Sequence, residues 1–148
     1  MTTLYQQFSE NEVMVWRNAG TSTNSTTFVN FTPGAELMSV AFKKILDSSV
    51  VVVELYTSCY HNHSGDVDWG VRINGVDYNL IRGYHDNSDT HRGFHATREI
   101  SGIPAGTYTI QARWKRTTTS VSGESSSYAV TDVNDTQSMV VRERKVSP

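Results

Sequence analysis

The stretch Gly102-Ile103-Pro104-Ala105-Gly106-Thr107-Tyr108-Thr109-Ile110-Gln111-Ala112-Arg113-Trp114-Lys115-Arg116 decides the fold. From Thr107 onward apolar and polar residues alternate. Tyr108, Ile110, Ala112 and Trp114 fall on one side, and Thr109, Gln111, Arg113 and Lys115 on the other. Successive side chains of an extended chain point in opposite directions, so a period of two marks a strand with one dry and one wet face. The Gly-Ile-Pro-Ala-Gly segment before it supplies a turn. After it, Thr117 to Ser127 holds almost no apolar residue and is expected to be a mobile loop. The chain then closes on Thr136-Gln137-Ser138-Met139-Val140-Val141-Arg142-Glu143-Arg144.

Working outward, the same alternation or β-branched enrichment recurs at Val13 to Arg17, Phe28 to Thr32, Val50 to Tyr60, Asp68 to Ile73, Val76 to Ile81, Phe94 to Ile100 and Tyr128 to Arg144. Four consecutive valines at 50–53 predict a central strand buried on both faces at its start. Leu37 to Ile45 fits either period, and its strand neighbours favour a strand with Met38, Val40 and Phe42 inward. Asn74-Gly75 sits between two alternating runs. That pair is the strongest short-range hairpin signal, because a type I′ turn needs positive φ at both positions. Asn18 to Thr27, His61 to Asp68 and Gly83 to Gly93 read as polar loops. The expectation is an all-β fold: an antiparallel β-sandwich, jelly-roll-like, with about 8–10 strands. Residues 1–12 would form an N-terminal arm, and 13–148 a single β-sandwich domain.

Composition narrows the function. A chain of 148 residues suits one domain. Its formal net charge of −2 argues against a nucleic-acid footprint. The single Cys59 cannot form an intramolecular disulfide and reads as a small buried hydrophobe, which fits a reducing compartment. No apolar signal segment occupies residues 1–20, and no apolar run approaches a membrane span. Asn24-Ser25-Thr26 and Asn30-Phe31-Thr32 match the glycosylation acceptor pattern but carry no weight without a secretory signal.

Three constellations bear on chemistry. His61, His63 and His91, with Asp66, Asp68, His85, Asp86, Asp89 and His95 nearby in sequence, would offer imidazole and carboxylate ligands if two loops met. The ordinary alternative, polar loop residues at a rim, is preferred, so neither metal nor cofactor is expected. A hydrolase would need a nucleophile in a recognisable setting, and no serine lies in a Gly-x-Ser-x-Gly elbow; no enzyme is expected. Among the aromatics Trp16, Tyr56, Tyr60, Trp69, Tyr78, Tyr84 and Trp114, core packing is the default. Trp69 and Trp114 share the inward phase of their strands. Tyr60 and Tyr84 flank the polar loops and, with His61, Asn62, Asp86 and Asn87, would form a glycan-reading rim. Arg142-Glu143-Arg144-Lys145 reads as a charged edge strand.

Pro104, Gly106, Tyr108, Thr109, Ile110 and Trp114, followed by Met139, Val140, Val141 and the late Glu143, carry a resemblance. Over residues 28–144 the chain resembles β-sandwich proteins of tailed-bacteriophage virions, namely small capsid-decoration proteins and the heads of tail fibres. Many of these are jelly rolls and many are trimers. The resemblance implies a virion-surface structural protein assembled in the host cytoplasm, most simply a homotrimeric capsid decoration (cement) protein bound to the major capsid protein. Leu4, Tyr5 and Phe8 of the arm would clamp a capsid or subunit neighbour. A chain opening on Met1 and lacking a repetitive shaft favours this over a fibre fragment. The alternative is a tail-associated head that binds a receptor or a host-surface glycan.

Overall fold

The computed structural model describes residues 11–18, 20–33, 36–61, 65–85, 91–117, 129–131 and 135–146. These hold eleven strands: β1 (Glu12–Arg17), β2 (Thr21–Thr23), β3 (Val29–Asn30), β4 (Ser39–Lys44), β5 (Val50–His61), β6 (Gly65–Ile73), β7 (Val76–His85), β8 (Arg92–Ile100), β9 (Gly106–Arg116), β10 (Ala129–Thr131) and β11 (Gln137–Arg144). Every strand pair is antiparallel. Among the described residues no helix is long and apolar enough to cross a membrane.

The segments line up end to end. β10 and β11 share one line because both border the same edge of β5, β3 and β4 a second because both border β9, and β1 and β2 a third because they border β11 and β10 in turn. Eight lines result. The first sheet runs β1/β2, β11/β10, β5, β8, and the second runs β4/β3, β9, β6, β7. Counted along the chain, lines 1-8-3-6 face lines 2-7-4-5. This is the nested Greek-key order of a jelly roll.

The core lies between the sheets. Val51, Val53 and Leu55 of β5, Val67, Trp69, Val71 and Ile73 of β6, Ile110, Ala112 and Trp114 of β9, and Met139 and Val141 of β11 are buried. Phe31 meets the edges of Trp69 and Trp114 at 5.1 Å each. Between β3 and β4 the chain leaves the ladder at Pro33, yet Phe31 donates to the Ala112 carbonyl and Met38 receives from Ala112 N–H, which keeps both short strands on β9. Asn74 at φ 50° and Gly75 at φ 77° make the expected tight hairpin. Gly83 faces the Phe94 ring so closely that an added Cβ would lie 2.3 Å from a ring carbon, which seats β8 against β7 across the gap between the sheets.

Several expected boundaries move. β5 extends to His61 and β6 starts at Gly65, so most of the expected 61–68 loop is strand. Likewise β7 reaches His85 and β8 starts at Arg92 within the expected 83–93 loop. The polar residues there lie on paired strands; Gly65 to Asp68 register with His85 to Arg82. Thr21–Thr23 form a short strand inside the expected 18–27 loop, paired with β10. Nearly all of the expected 117–127 loop lies outside the described residues.

β11 is not an edge strand, because β1 and β5 border it on either side. Its Glu143 is buried and faces inward. The carboxylate accepts from the Asn11 amide at 2.5 Å, from Ile45 N–H at 2.9 Å, from Leu46 N–H at 2.8 Å and from the Ser49 hydroxyl. It thereby fixes the turn between β4 and β5 and the chain just before β1. Burial by itself raises the pKa of this carboxyl. The hydrogen bonds from Ser49, Ile45, Leu46 and Asn11 outweigh burial and hold it below its usual range.

Two outcomes follow. Glu143→Ala strands the Ile45 and Leu46 amides and is expected to cost about 2–4 kcal/mol in urea unfolding at neutral pH. Because the folded pKa lies below the unfolded value of about 4.3, the carboxylate's contribution is whole above that pH and fades as the pH falls through the folded value. Glu143→Gln should lose this part of the acid sensitivity; identical acid profiles for the two chains would refute the clamp. Gly83→Ala pushes a methyl into the Phe94 ring and should cost about 1–3 kcal/mol, and an unchanged melting temperature would show that the ring moves aside freely.

Candidate functional site

The outer faces of the two sheets differ. On the second sheet ion pairs cover the surface. Asp68, fully buried, takes Arg82 in a two-pronged contact at 2.6 and 2.9 Å and lies 3.7 Å from Lys115. Asp77 takes Arg72 at 3.0 and 2.8 Å and Arg113 at 3.1 Å. Burial opposes ionisation of Asp77, but the Arg72 hydrogen bonds and the charges of Arg113 and Arg72 prevail and keep its pKa low. The hydrogen bonds and charge of Asp68 raise the Arg82 pKa above its ordinary value.

On the first sheet the covering stops halfway. Arg142 pairs with Glu54 at 2.5 Å, and Arg144 of β11 reaches Glu99 of β8 at 2.6 Å. The second pair bridges β5, and the two together roof the outward valines Val50 and Val52, which are 7% and 2% exposed. Beyond Glu54 the register brings a different row together: Trp16 opposite Ser138, Ser138 opposite Tyr56, Tyr56 opposite His95. All four point outward, since Val15, Leu55, Met139 and Ala96 beside them are buried. Trp16 is 55% exposed, Tyr56 45%, and Met14 one step along β1 is exposed as well. The Tyr56 and His95 rings stack at 4.0 Å and 6°.

Beside this row opens a shallow trough of about 490 Å³, lined by Tyr56, Ser58, Gly93, His95, Thr136 and Ser138 among others. Gly93 stands opposite Ser58 in the register, and its missing side chain leaves the gap between the Tyr56/His95 pair and a second pair, Tyr60 and His91, whose rings lie 4.7 Å apart. At that end Asp135 organises the polar groups. It accepts from Ser58 Oγ at 2.6 Å and binds His91 Nδ1 at 2.8 and 2.9 Å. A carboxylate only accepts, so His91 carries its proton on Nδ1 in this contact. Where β11 peels away from β5, the buried Gln137 carboxamide continues the ladder: its oxygen receives Ser58 N–H at 2.9 Å and its amide donates to the Ser58 carbonyl.

This Ser58–Asp135–His91 set is not a hydrolytic relay. The carboxylate stands in the centre, whereas a relay places the imidazole between nucleophile and carboxylate. Cys59, one residue on, faces the core. Burial and the charge of Asp135 push its thiol up to about 12, despite the Trp69 contact that opposes them, so it is no nucleophile at neutral pH.

Of the residues expected to form a rim, Tyr60 and Tyr84 are the two whose side chains are described. Tyr60 lies within β5 on the outer face of the first sheet. Tyr84, 56% exposed, stands opposite Asp66 on the outer face of the second. The two tyrosines are therefore on opposite sides of the sandwich, and the structure does not bring them together. Asn62, Asp86 and Asn87 lie outside the described residues, as do His63 and the arm residues Leu4, Tyr5 and Phe8; of His61 only the backbone, paired with Ala129, is described. Of the histidines proposed as metal ligands, His91 is engaged by Asp135 and Tyr60, and among the described residues no three His, Cys, Asp or Glu side chains gather as a metal site. The Trp16–Ser138–Tyr56–His95 row was visible in the sequence only as alternation within separate strands, since nothing there gives the register between β1, β11, β5 and β8.

No family model matches the sequence, and no curated protein is significantly similar to it. The fold has relatives among solved structures. The infectious bursal disease virus protein that forms T=1 particles matches with a TM-score of 0.50 at 13% identity, over 92% of this chain and 36% of that one. Latent PorU of Porphyromonas gingivalis matches with a TM-score of 0.46 at 8% identity, over 91% of this chain and 13% of that one. A GH26-CBM35 mannanase of Podospora anserina matches with a TM-score of 0.33 at 10% identity, over 93% of this chain and 29% of that one. This chain thus spans little more than a third, or less, of each of these proteins, and at such identities the likeness is one of fold alone.

Proposed function

We propose that this chain is a structural protein of a tailed-phage virion surface, a homotrimeric capsid decoration protein that binds the major capsid protein and stabilises the head without catalysing a reaction. One observation carries the reading. The end of the sandwich at which Glu143 clamps the chain also presents exposed apolar residues: Ile45 at 60%, Val76 at 50%, Val146 at 45% and Leu46 at 40%. Asn11, tied to Glu143, marks where residues 1–10 join the domain at this same end. A monomer gains nothing from large apolar side chains held out in water on a rigid turn, whereas burying them against a neighbour removes that cost. The clamp fixes the Ile45–Leu46 backbone, so little conformational entropy is lost on docking.

The sequence resemblance over residues 28–144 supports the same reading, as does a fold that viral shell proteins also use. In a trimer three such ends would bind together, so individually weak contacts would give tight attachment. Residues 1–10, with Leu4, Tyr5 and Phe8, would extend the contact.

Two measurements test this. Light scattering of the full chain should give the mass of a trimer; a monomer both free and on capsids would refute the trimer. Ile45→Asp with Leu46→Asp should abolish binding to capsids stripped of the protein, while the melting temperature stays within a few degrees because both side chains are already exposed. Attachment equal to that of the unaltered chain would refute this end as the contact.

A further inference from the structure

The Trp16–Ser138–Tyr56–His95 row has no part in that attachment, and we infer that with the adjoining trough it is a carbohydrate site for a neutral oligosaccharide. The spacing fits one sugar ring. Trp16 and Tyr56 lie on strands two steps apart, about 9.6 Å at the usual strand spacing, with only the small Ser138 between them. A ring packed between two aromatic faces needs about 3.5–4 Å on each side, about 7–8 Å in all, which this strand separation allows. A pyranose offers an apolar C–H face to such walls and hydroxyls at its rim. The trough provides for the rim: Ser58, Thr136 and Ser138 contribute hydroxyls and His95 an imidazole.

The surroundings select against other ligands. The row itself holds no carboxylate, lysine or arginine. The carboxylates flanking it are Glu54, paired with Arg142, and Asp135, paired with His91. Among the described residues no cluster of cations lines the trough that would hold a phosphate backbone or an acidic glycan. A peptide strand added to a sheet needs a free edge, and Ser138 and Tyr56 lie on interior strands. The trough is open and shallow, suited to a polymer lying across the face rather than to an enclosed small molecule. The site holds whichever virion element carries the chain, and its failure would leave the attachment reading intact.

The molecule carries its own reporter. It has three tryptophans, and Trp69 and Trp114 are 0% and 1% exposed, so iodide quenching reads Trp16 alone. The full chain is titrated with gluco-, galacto-, manno-, xylo- and N-acetylglucosamine hexasaccharides while Trp16 quenching is followed. At least one sugar should protect Trp16 saturably. Tyr56→Ala should weaken that protection by about tenfold or more. Tyr84→Ala, on the opposite face, should leave it unchanged, and so should the Ile45→Asp/Leu46→Asp chain. Thermal melts confirm that each variant is folded. Should no sugar protect Trp16 in the intact chain, or should Tyr56→Ala bind as well as the parent, the site is refuted.

Discussion

The structure depends on β5, a strand of twelve residues that must satisfy neighbours on both edges and both faces. Along one edge it pairs with β8, and along the other with β11 and then β10. Its first third, Val50 to Val53, is apolar on both faces. The inner valines enter the core, while the outer ones need a lid, and Arg142 and Arg144 supply it by reaching across to Glu54 and Glu99. Long arginine stems can cover apolar surface while their heads stay in water. After Glu54 the inner face continues with Leu55, Thr57 and Cys59, but the outer face changes to Tyr56, Ser58 and Tyr60. The lid ends where the valines end. One strand's composition thus creates both the closed half of the face and the open half that forms the trough.

The second sheet shows that an open face is not the default here. Its outer surface is closed by Asp68 and Asp77, each held by two cations. Such pairs add little net stability over an apolar packing, but breaking one leaves a buried charge unpaired and is costly. Their effect is on register. β6 and β7 slip by one residue between Trp69 and Gly70, and the two aspartate clusters lie on either side of that bulge. A further slip would part Asp68 from Arg82 and Arg72 from Asp77 together. Charge therefore fixes the second sheet, while the first sheet is fixed by its valine core and by Glu143.

Much of this was legible in the sequence. Alternation at Thr107 to Arg116, the valine run and Asn74-Gly75 specify strands and a turn through local rules alone. The rules erred where a strand's outward face is polar or a glycine stands in it: Asp68 and Gly83 looked like loop, whereas Asp68 is held in ion pairs and Gly83 makes a close contact with Phe94. Thr21-Ser22-Thr23 gave no apolar signal because β2 contributes only the buried Thr23 and its ladder to β10. The site was harder to read. Asp135 meets a histidine 44 residues away and Glu143 an asparagine 132 away, and no local pattern encodes such pairings. Tyr60 and Tyr84 looked equivalent, each beside a polar stretch, and only strand phase assigns them to opposite faces.

The proposed attachment end and the proposed sugar face share β5 but not its length. Val50 opens the strand beside the Glu143 clamp, and Tyr56 lies six residues on, about 20 Å away. Between them stand the roofed valines, among the most tightly packed residues of the chain. A ligand on Tyr56 therefore has no path to the Ile45–Leu46 turn except through a core that resists deformation. Occupation of one surface should leave the other unchanged. A capsid-bound copy would present a preformed face to a saccharide, and its grip on the lattice would not depend on whether that face is filled.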